Sequence, residues 1–511
     1  MLRSFQILFS LVWLVGAMDA AQAELQLPSV FGDSMVVQRE QKVHVWGWTE
    51  PGQEVTAQLA DRFGKTTATE SGRFDLMMDP LPAGGPYNLV INADEQKIFT
   101  DVLVGEVWIC SGQSNMAWPI QSANDADLEM LSANFPKIRL ISVPQVGTQE
   151  PQRDFKGSWK AATPESVADF SAVGFLFGRR LHQVLDVPVG LIDNAWGGSA
   201  AEAWIPREVL QRDSKYDDLL AGWDQRFENY DYQAILEAWE TKHQKWVAEG
   251  RKGNPPRRPR DDSAGNHRPA NIYNGVLLPT IGYTMRGVIW YQGESNASRA
   301  YQYRDLFPLM IQTWRDQWGQ GDFPFYWVQL ADFRAETDQP TDSDWAELRE
   351  AQTMTMARLG NTGQAVIVDV GEGRDIHPRN KQIVANRLAR WALAKDYGYD
   401  IVYQSPTFAD VMFEGKQATL TFDHVGAGIY TFDVDEAIGF TIAGEDRVFH
   451  RADAKLVGKD SIVVSSPEVP EPIAVRYAWA DNPVSNVQSR DGLPLTPFRT
   501  DQWPGVTAPT P

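Results

Sequence analysis

The sequence predicts an α/β fold, a doubly wound parallel sheet with β-rich domains before and after it, on three observations. From residue 102 to about 397, apolar runs that read as buried strands alternate with amphipathic segments, the pattern of a parallel sheet covered on both faces. Short alternating runs broken by turn residues precede this stretch and return after it, as in antiparallel β structure. The chain has 511 residues, and single cores stop growing at about 250–300 residues, so two or three domains are expected.

Residues 1–23 read as an export signal. Arg3 precedes the apolar Ile7-Leu8-Phe9 and Leu11-Val12-Trp13-Leu14-Val15, and Ala21-Gln22-Ala23 forms a small-x-small cleavage site. The apolar core is too short to span a bilayer comfortably. The mature chain is then expected to begin at Glu24, secreted, in a bacterial periplasm.

Residues 24–101 carry the alternating runs Val43–Trp48, Val55–Leu59 and Tyr87–Ile91 between Pro-Gly, Ser-Gly and Gly-Gly turns. They predict an N-terminal β-sandwich, which either binds carbohydrate or braces the α/β domain. Residues 102–397 predict that α/β domain. Its strands are expected at 107–110, 138–141, 188–192, 287–291, 325–328 and 365–370, and its helices at about 167–185, 303–318 and 380–396. A helical insertion is expected at about 207–270, because Leu220, Trp223, Phe227 and Tyr230, then Leu236, Trp239 and Trp246, recur at helical spacing. The basic, proline-rich run 250–260 that ends it either attracts an acidic sugar or is solvated surface. Residues 398–511 predict a C-terminal β domain.

Four loops past strand ends carry chemistry. Val107–Cys110 runs through Ser111 into Gly112-Gln113-Ser114, placing a hydroxyl where open α/β sheets hold reactive groups. On that pattern alone Ser114 is either a nucleophile or the cap of the next helix. Gly197 and Gly198 follow a second strand and offer backbone N–H groups. Gln292, Glu294 and Asn296 follow a third. Asp375 and His377 follow a fourth. A serine hydroxyl attacks only when a neighbouring base takes its proton. Of seven histidines, His377 and His424 have a nearby Asp in sequence, and His424 lies in the β tail.

Gly-Gln-Ser-Asn-Met at 112–116, Trp-Gly-Gly-Ser at 196–199, Trp-Tyr-Gln-Gly-Glu-Ser-Asn at 290–296 and Asp-Ile-His-Pro at 375–378 together resemble the sialate O-acetylesterase family, a branch of the SGNH hydrolases. Related esterases of plant hemicellulose are similar in the same motifs. The resemblance covers nearly the whole mature chain and implies an SGNH-hydrolase-like sheet. It implies a serine esterase that removes O-acetyl groups from sugar through an acyl-enzyme, with Ser114 as nucleophile, His377 as base and Asp375 orienting the base. Many SGNH hydrolases place the acid three residues before the histidine, where this chain has Arg374, so Glu294 or a backbone carbonyl is the alternative to Asp375. The oxyanion donors are expected to be the N–H groups of Ser114 and Gly198 and the side chain of Gln292, with Asn115, Glu294 and Asn296 contacting substrate or supporting the loop.

No metal or other cofactor is expected. The single cysteine, Cys110, excludes an intramolecular disulfide and a cysteine-rich zinc site. A net charge of −20 argues against nucleic acid or an anionic membrane surface as partner. The resemblance implies an O-acetylated sugar as partner, either O-acetyl sialate or an acetylated xylan or xyloglucan oligosaccharide. A carboxylate on that sugar would call for Arg299 or Arg374. A non-catalytic carbohydrate-binding protein, a peptidase and a lipase are the rival classes. The sequence carries no signal for oligomeric state.

Overall fold

A computed structural model of the chain describes residues 24–509; the export signal expected over 1–23 lies outside them. The architecture is mixed α/β. Its central sheet contains β1 (Gln96–Gly112), β2 (Phe135–Ser142), β3 (Lys160–Ala162), β4 (Val189–Asp193), β5 (Gly287–Tyr291), β6 (Phe325–Val328) and β7 (Thr362–Ala365). The order is β7-β6-β5-β1-β4-β2-β3. Pairing is parallel from β7 through to β2, and β3 lies antiparallel on the β2 edge.

Successive side chains of a strand face opposite ways, and β1 uses this to feed two cores. Val107 and Ile109 join one apolar cluster, with Trp290, Leu306 and Trp314, while Trp108 and Cys110 join another, with Phe175, Val384 and Leu388. Helix α1 (Ser114–Ala117) leaves β1 directly. Helix α2 (Ala172–Leu185) packs with α5 (Lys381–Lys395), and α3 (Ala300–Trp318) packs with α4 (Asp344–Arg358). The apolar stripe expected on α3 is fully buried at Leu306, Phe307, Met310, Ile311 and Trp314. Ser171 starts α2 by accepting the Gly174 N–H at 3.0 Å, and its hydroxyl donates to the Met116 carbonyl at 2.6 Å, tying α1 to α2.

Strand β1 is longer than the sequence suggests. Its first half pairs antiparallel with Gly84–Asn92 and parallel with Val36–Gln38, so the boundary expected between residues 101 and 102 falls inside one strand. The strand expected at 365–370 is also displaced. Strand β7 ends at Ala365 because its neighbour β6 ends at Val328, and past the Gln329 N–H bond to the Ala365 carbonyl no ladder partner remains. Val366, Ile367 and Val368 are buried without strand pairing.

The stretch between β4 and β5 contains the helices Asp217–Phe227 and Tyr232–Ala248, then a loop that returns to the sheet's carboxyl edge. Beyond α5, two four-stranded antiparallel sheets enclose a separate core that includes Leu420, Ile462, Val475 and Tyr477. The end of the chain docks back on α4, where Glu350 accepts from Arg499 at 2.7 Å and Glu347 accepts the Val506 N–H at 2.5 Å.

Candidate active site

After β1 the chain goes to one side for β2 and β4 and to the other for β5, β6 and β7. The carboxyl end of β1 is therefore a switch point, where open α/β sheets leave a crevice. The loops meeting there are sewn together by backbone. Gln113 donates to the Tyr291 carbonyl at 2.8 Å, Trp196 to the Gly112 carbonyl at 2.9 Å, and Asn194 to the Cys110 carbonyl at 3.1 Å. Gly112 has a φ of 131°, and a Cβ there would lie 2.2 Å from the Tyr291 oxygen. Only glycine permits that approach.

Ser114 is the first residue of α1. The cap position belongs to Gln113, which makes no side-chain cap bond, so Ser114 does not serve as the helix cap. Its Oγ lies 2.9 Å from His377 Nε2, and His377 Nδ1 lies 3.1 Å from Asp375 Oδ1. A carboxylate only accepts, so the Asp375 contact puts the proton of a neutral ring on Nδ1 and leaves Nε2 to accept from the serine hydroxyl. The same Asp375 oxygen accepts the His377 backbone N–H at 2.9 Å. That bond, followed by the imidazole contact, holds the Asp375 carboxyl below its usual range. The Asp375 side chain is 52 % exposed, so water screens its charge. The opposite control on the ring is Trp118, which stacks on it with centroids 4.8 Å apart.

The turn after β4 passes against Ser114: a Cβ on Gly197 would lie 3.4 Å from Ser114 Cβ, and Gly198 has a φ of 72°. Asn266 Nδ2 donates to the Gly197 carbonyl at 2.6 Å, and His267 Nε2 contacts the Gly198 carbonyl at 2.7 Å. In a trans peptide the Gly198 N–H points opposite to the Gly197 carbonyl, so the Asn266 bond fixes its direction.

The loop after β5 is different from expectation. Gln292 is fully buried, and its amide donates to the Ser199 carbonyl at 3.1 Å and to Asn296 Oδ1 at 2.7 Å while accepting from the Tyr303 hydroxyl at 2.9 Å. Both its N–H groups are spent, which corrects its expected role as an oxyanion donor. Asn296 accepts the Ala201 N–H at 3.0 Å and donates to Glu202 at 3.0 Å. It supports the loops and is 1 % exposed. Arg299 is likewise committed, to Glu202 at 2.5 Å, whereas Arg374 is exposed on the histidine loop.

Glu294 Oε1 accepts from Asn115 at 2.6 Å and makes no bond to His377. Burial raises its carboxyl, against the Asn115 N–H and the charge of Lys381. Lys381, at the start of α5, donates to Asn115 Oδ1 at 2.6 Å. Burial pushes its amine down to about 7, against the pull of Glu294, Glu372 and Asp375.

A cavity of about 550 Å3 opens over Ser114, walled by Trp118, Gln145, Trp196, Gly197, Arg260 and Asn266 among others. A larger cavity, about 980 Å3, is walled mainly by the C-terminal sheets and contains none of these groups. Trp118, Lys381, Asn266 and His267 were not singled out by sequence, and Arg260 was read only as the end of the basic run 250–260. Trp118, four residues past the serine and so one helical turn on, was the one with a local signal. His424 follows a strand of the C-terminal sheets, Gln417–Asp423, with a φ of 58°. Among the described residues no cluster of three His, Cys, Asp or Glu side chains is arranged to hold a metal ion, and no helix is long and apolar enough to cross a membrane.

Comparison with known proteins defines the class as a carboxylic-ester hydrolase of the carbohydrate-esterase type. A family model described as carbohydrate esterase, sialic acid-specific acetylesterase, matches residues 104–239 and 273–378. Sialate O-acetylesterase of Mus musculus is 31% identical, covering 78% of this chain and 79% of its own length, and that of Homo sapiens is 27% identical over 93% of each. A crystal structure of a carbohydrate acetylesterase from Xanthomonas citri is 36% identical with a TM-score of 0.80, covering 94% of this chain and all of the other. The chain belongs to the sialate O-acetylesterase family.

Proposed function

We propose that this protein removes O-acetyl groups from carbohydrates by an acyl-enzyme route run by Ser114, His377 and Asp375 on an SGNH-type, doubly wound sheet. The observation that carries the proposal is the chain of contacts from Ser114 Oγ to His377 Nε2 and from His377 Nδ1 to Asp375. His377 takes the serine proton as Oγ attacks the acetyl carbonyl, and returns it to the departing sugar oxygen. Water, deprotonated by the same imidazole, then releases acetate from the serine ester.

Charge on the tetrahedral oxygen calls for fixed donors, each worth about 2.7–4 kcal/mol of barrier. The N–H groups of Ser114, in the unpaired first turn of α1, and of Gly198 fill that role in this reading. The N-terminal strands act as a brace, which their shared strand with the central sheet favours. Export to the periplasm brings the enzyme to its substrate.

Two indoles and one guanidinium wall the cavity. O-acetyl sialate is the first substrate class, given the relatives' names. The commitment of Arg299 to Glu202 favours a second reading, neutral acetylated xylan or xyloglucan oligosaccharides. The test is acetate release from a panel of both classes by wild type and by Ser114→Ala. Turnover of acetylated sugars that vanishes in the variant supports the proposal, and hydrolysis of none of them by wild type overturns it.

A further inference from the structure

We infer that Asn115 is a positioning residue that locks the nucleophile's helix to the loop carrying the base, and that buried Lys381 and Glu294 exist at this site to fix its amide. The inference rests on the proposed roles of Ser114 and His377. Asn115 adjoins Ser114 in the chain, and its Nδ2 donates at 3.0 Å to the carbonyl of Ile376, which adjoins His377. One side chain thereby spans the two residues whose side chains must meet at 2.9 Å.

With Lys381 protonated and Glu294 ionised, the amide has one admissible orientation. Lys381 Nζ can only donate when protonated and faces Oδ1 at 2.6 Å, whereas Glu294 Oε1 and the Ile376 carbonyl can only accept while the carboxyl is ionised and face Nδ2 at 2.6 and 3.0 Å. Turning the amide over would set a donor against a donor and an acceptor against two acceptors. Asn115 is 1 % exposed and Lys381 fully buried, so water cannot replace a lost partner. The amide also separates the two charged groups, which form no direct ion pair among the described residues. Lys381 Nζ lies over the Tyr291 ring, 5.3 Å from its centroid, and over Trp118 at 5.8 Å, so the same group touches the ring that stacks on His377.

A misplacement of about 1 Å between reacting groups costs about 10²-fold in rate. Asn115→Ala is therefore expected to lower kcat on an acetyl ester by about a hundredfold and to leave KM within about threefold, with circular dichroism showing a folded chain. Glu294→Gln keeps an acceptor for Nδ2 and is expected to stay within about threefold of wild type, while Glu294→Leu falls with Asn115→Ala. The Glu294 pair decides the matter if Asn115→Ala does not fold. Wild-type kcat in Asn115→Ala, or equal losses in Glu294→Gln and Glu294→Leu, would overturn the inference. Ser114→Ala measured alongside separates this from the mechanism: retained turnover there refutes the serine itself, whatever Asn115 does.

Discussion

The indole of Trp118 lies flat against the imidazole of His377, with planes 16° apart and centroids 4.8 Å apart. Trp118 is held in turn by its Nε1 bond to the Ser122 carbonyl at 2.9 Å. In the proposed reaction the imidazole becomes a cation when it takes the serine proton, and an aromatic face stabilises a cation by about 0.5–2 kcal/mol. Trp118→Ala should lower kcat on p-nitrophenyl acetate by about tenfold, with Trp118→Phe nearer wild type, since 1.36 kcal/mol is a factor of ten. Equal kcat in all three proteins would remove the stack from the mechanism.

Lys381 makes stability depend on pH in a defined window. Its amine is pushed down to about 7 in the fold, while a lysine in an unfolded chain stays protonated to about 10.4. Between those values the unfolded chain binds more protons, so stability rises with pH there. Lys381→Met removes this contribution. The melting temperature of the wild type relative to that of the variant should therefore climb from about pH 7 to about pH 10. A constant difference across that range would contradict the buried, depressed amine.

Gln292 separates a structural amide from an oxyanion donor. Gln292→Ala leaves the Tyr303 hydroxyl and the Asn296 oxygen short of a buried partner, at a cost of about 1–3 kcal/mol for each group left unsatisfied. The expected result is a clear fall in melting temperature with kcat, measured well below it, within about tenfold of wild type. A loss of 10²–10³-fold in kcat at unchanged stability, about what a missing oxyanion donor costs, would restore the role the sequence suggested.

Arg260 offers a test of the substrate's charge. It walls the cavity over Ser114, and the neighbouring Asp261 is taken by Tyr230 and Ser263. If the sugar carries a carboxylate, Arg260→Gln should raise KM for O-acetyl sialate by about tenfold, the value of one charge-assisted bond at about 1.5 kcal/mol, and leave a neutral acetylated xylo-oligosaccharide unchanged. Equal effects on both substrates would speak for the neutral reading.

Short motifs picked out Ser114, Asp375 and His377, and their side chains do meet, although the strand expected to lead into the last two ends at Ala365. What the sequence hid depends on contacts between distant segments. Gln292 reads as a free amide until Tyr303, eleven residues on, closes on its oxygen. Arg260, Asn266 and His267 read as the end of a basic loop, yet the insertion folds back to wall the cavity and hold the Gly197-Gly198 turn. Lys381 reads as the polar start of a helix, where lysine is normally solvated, and burial against Asn115 reverses that. Carboxylate partners for histidine also arise across the chain, as at His44 with Asp75 and His450 with Glu468. An adjacent Asp is thus a weak signal, and the contact with Ser114 is what distinguishes His377.

The central claim is that Ser114 carries the acetyl group. The direct measurement is mass spectrometry of the protein treated with a fluorophosphonate, with kcat of Ser114→Ala on an acetylated sugar alongside it. The account predicts a single label on Ser114 and a loss of at least about 10³-fold in kcat, in line with removal of a serine nucleophile. A label on any other residue, or a variant that keeps its turnover within about tenfold, would contradict it.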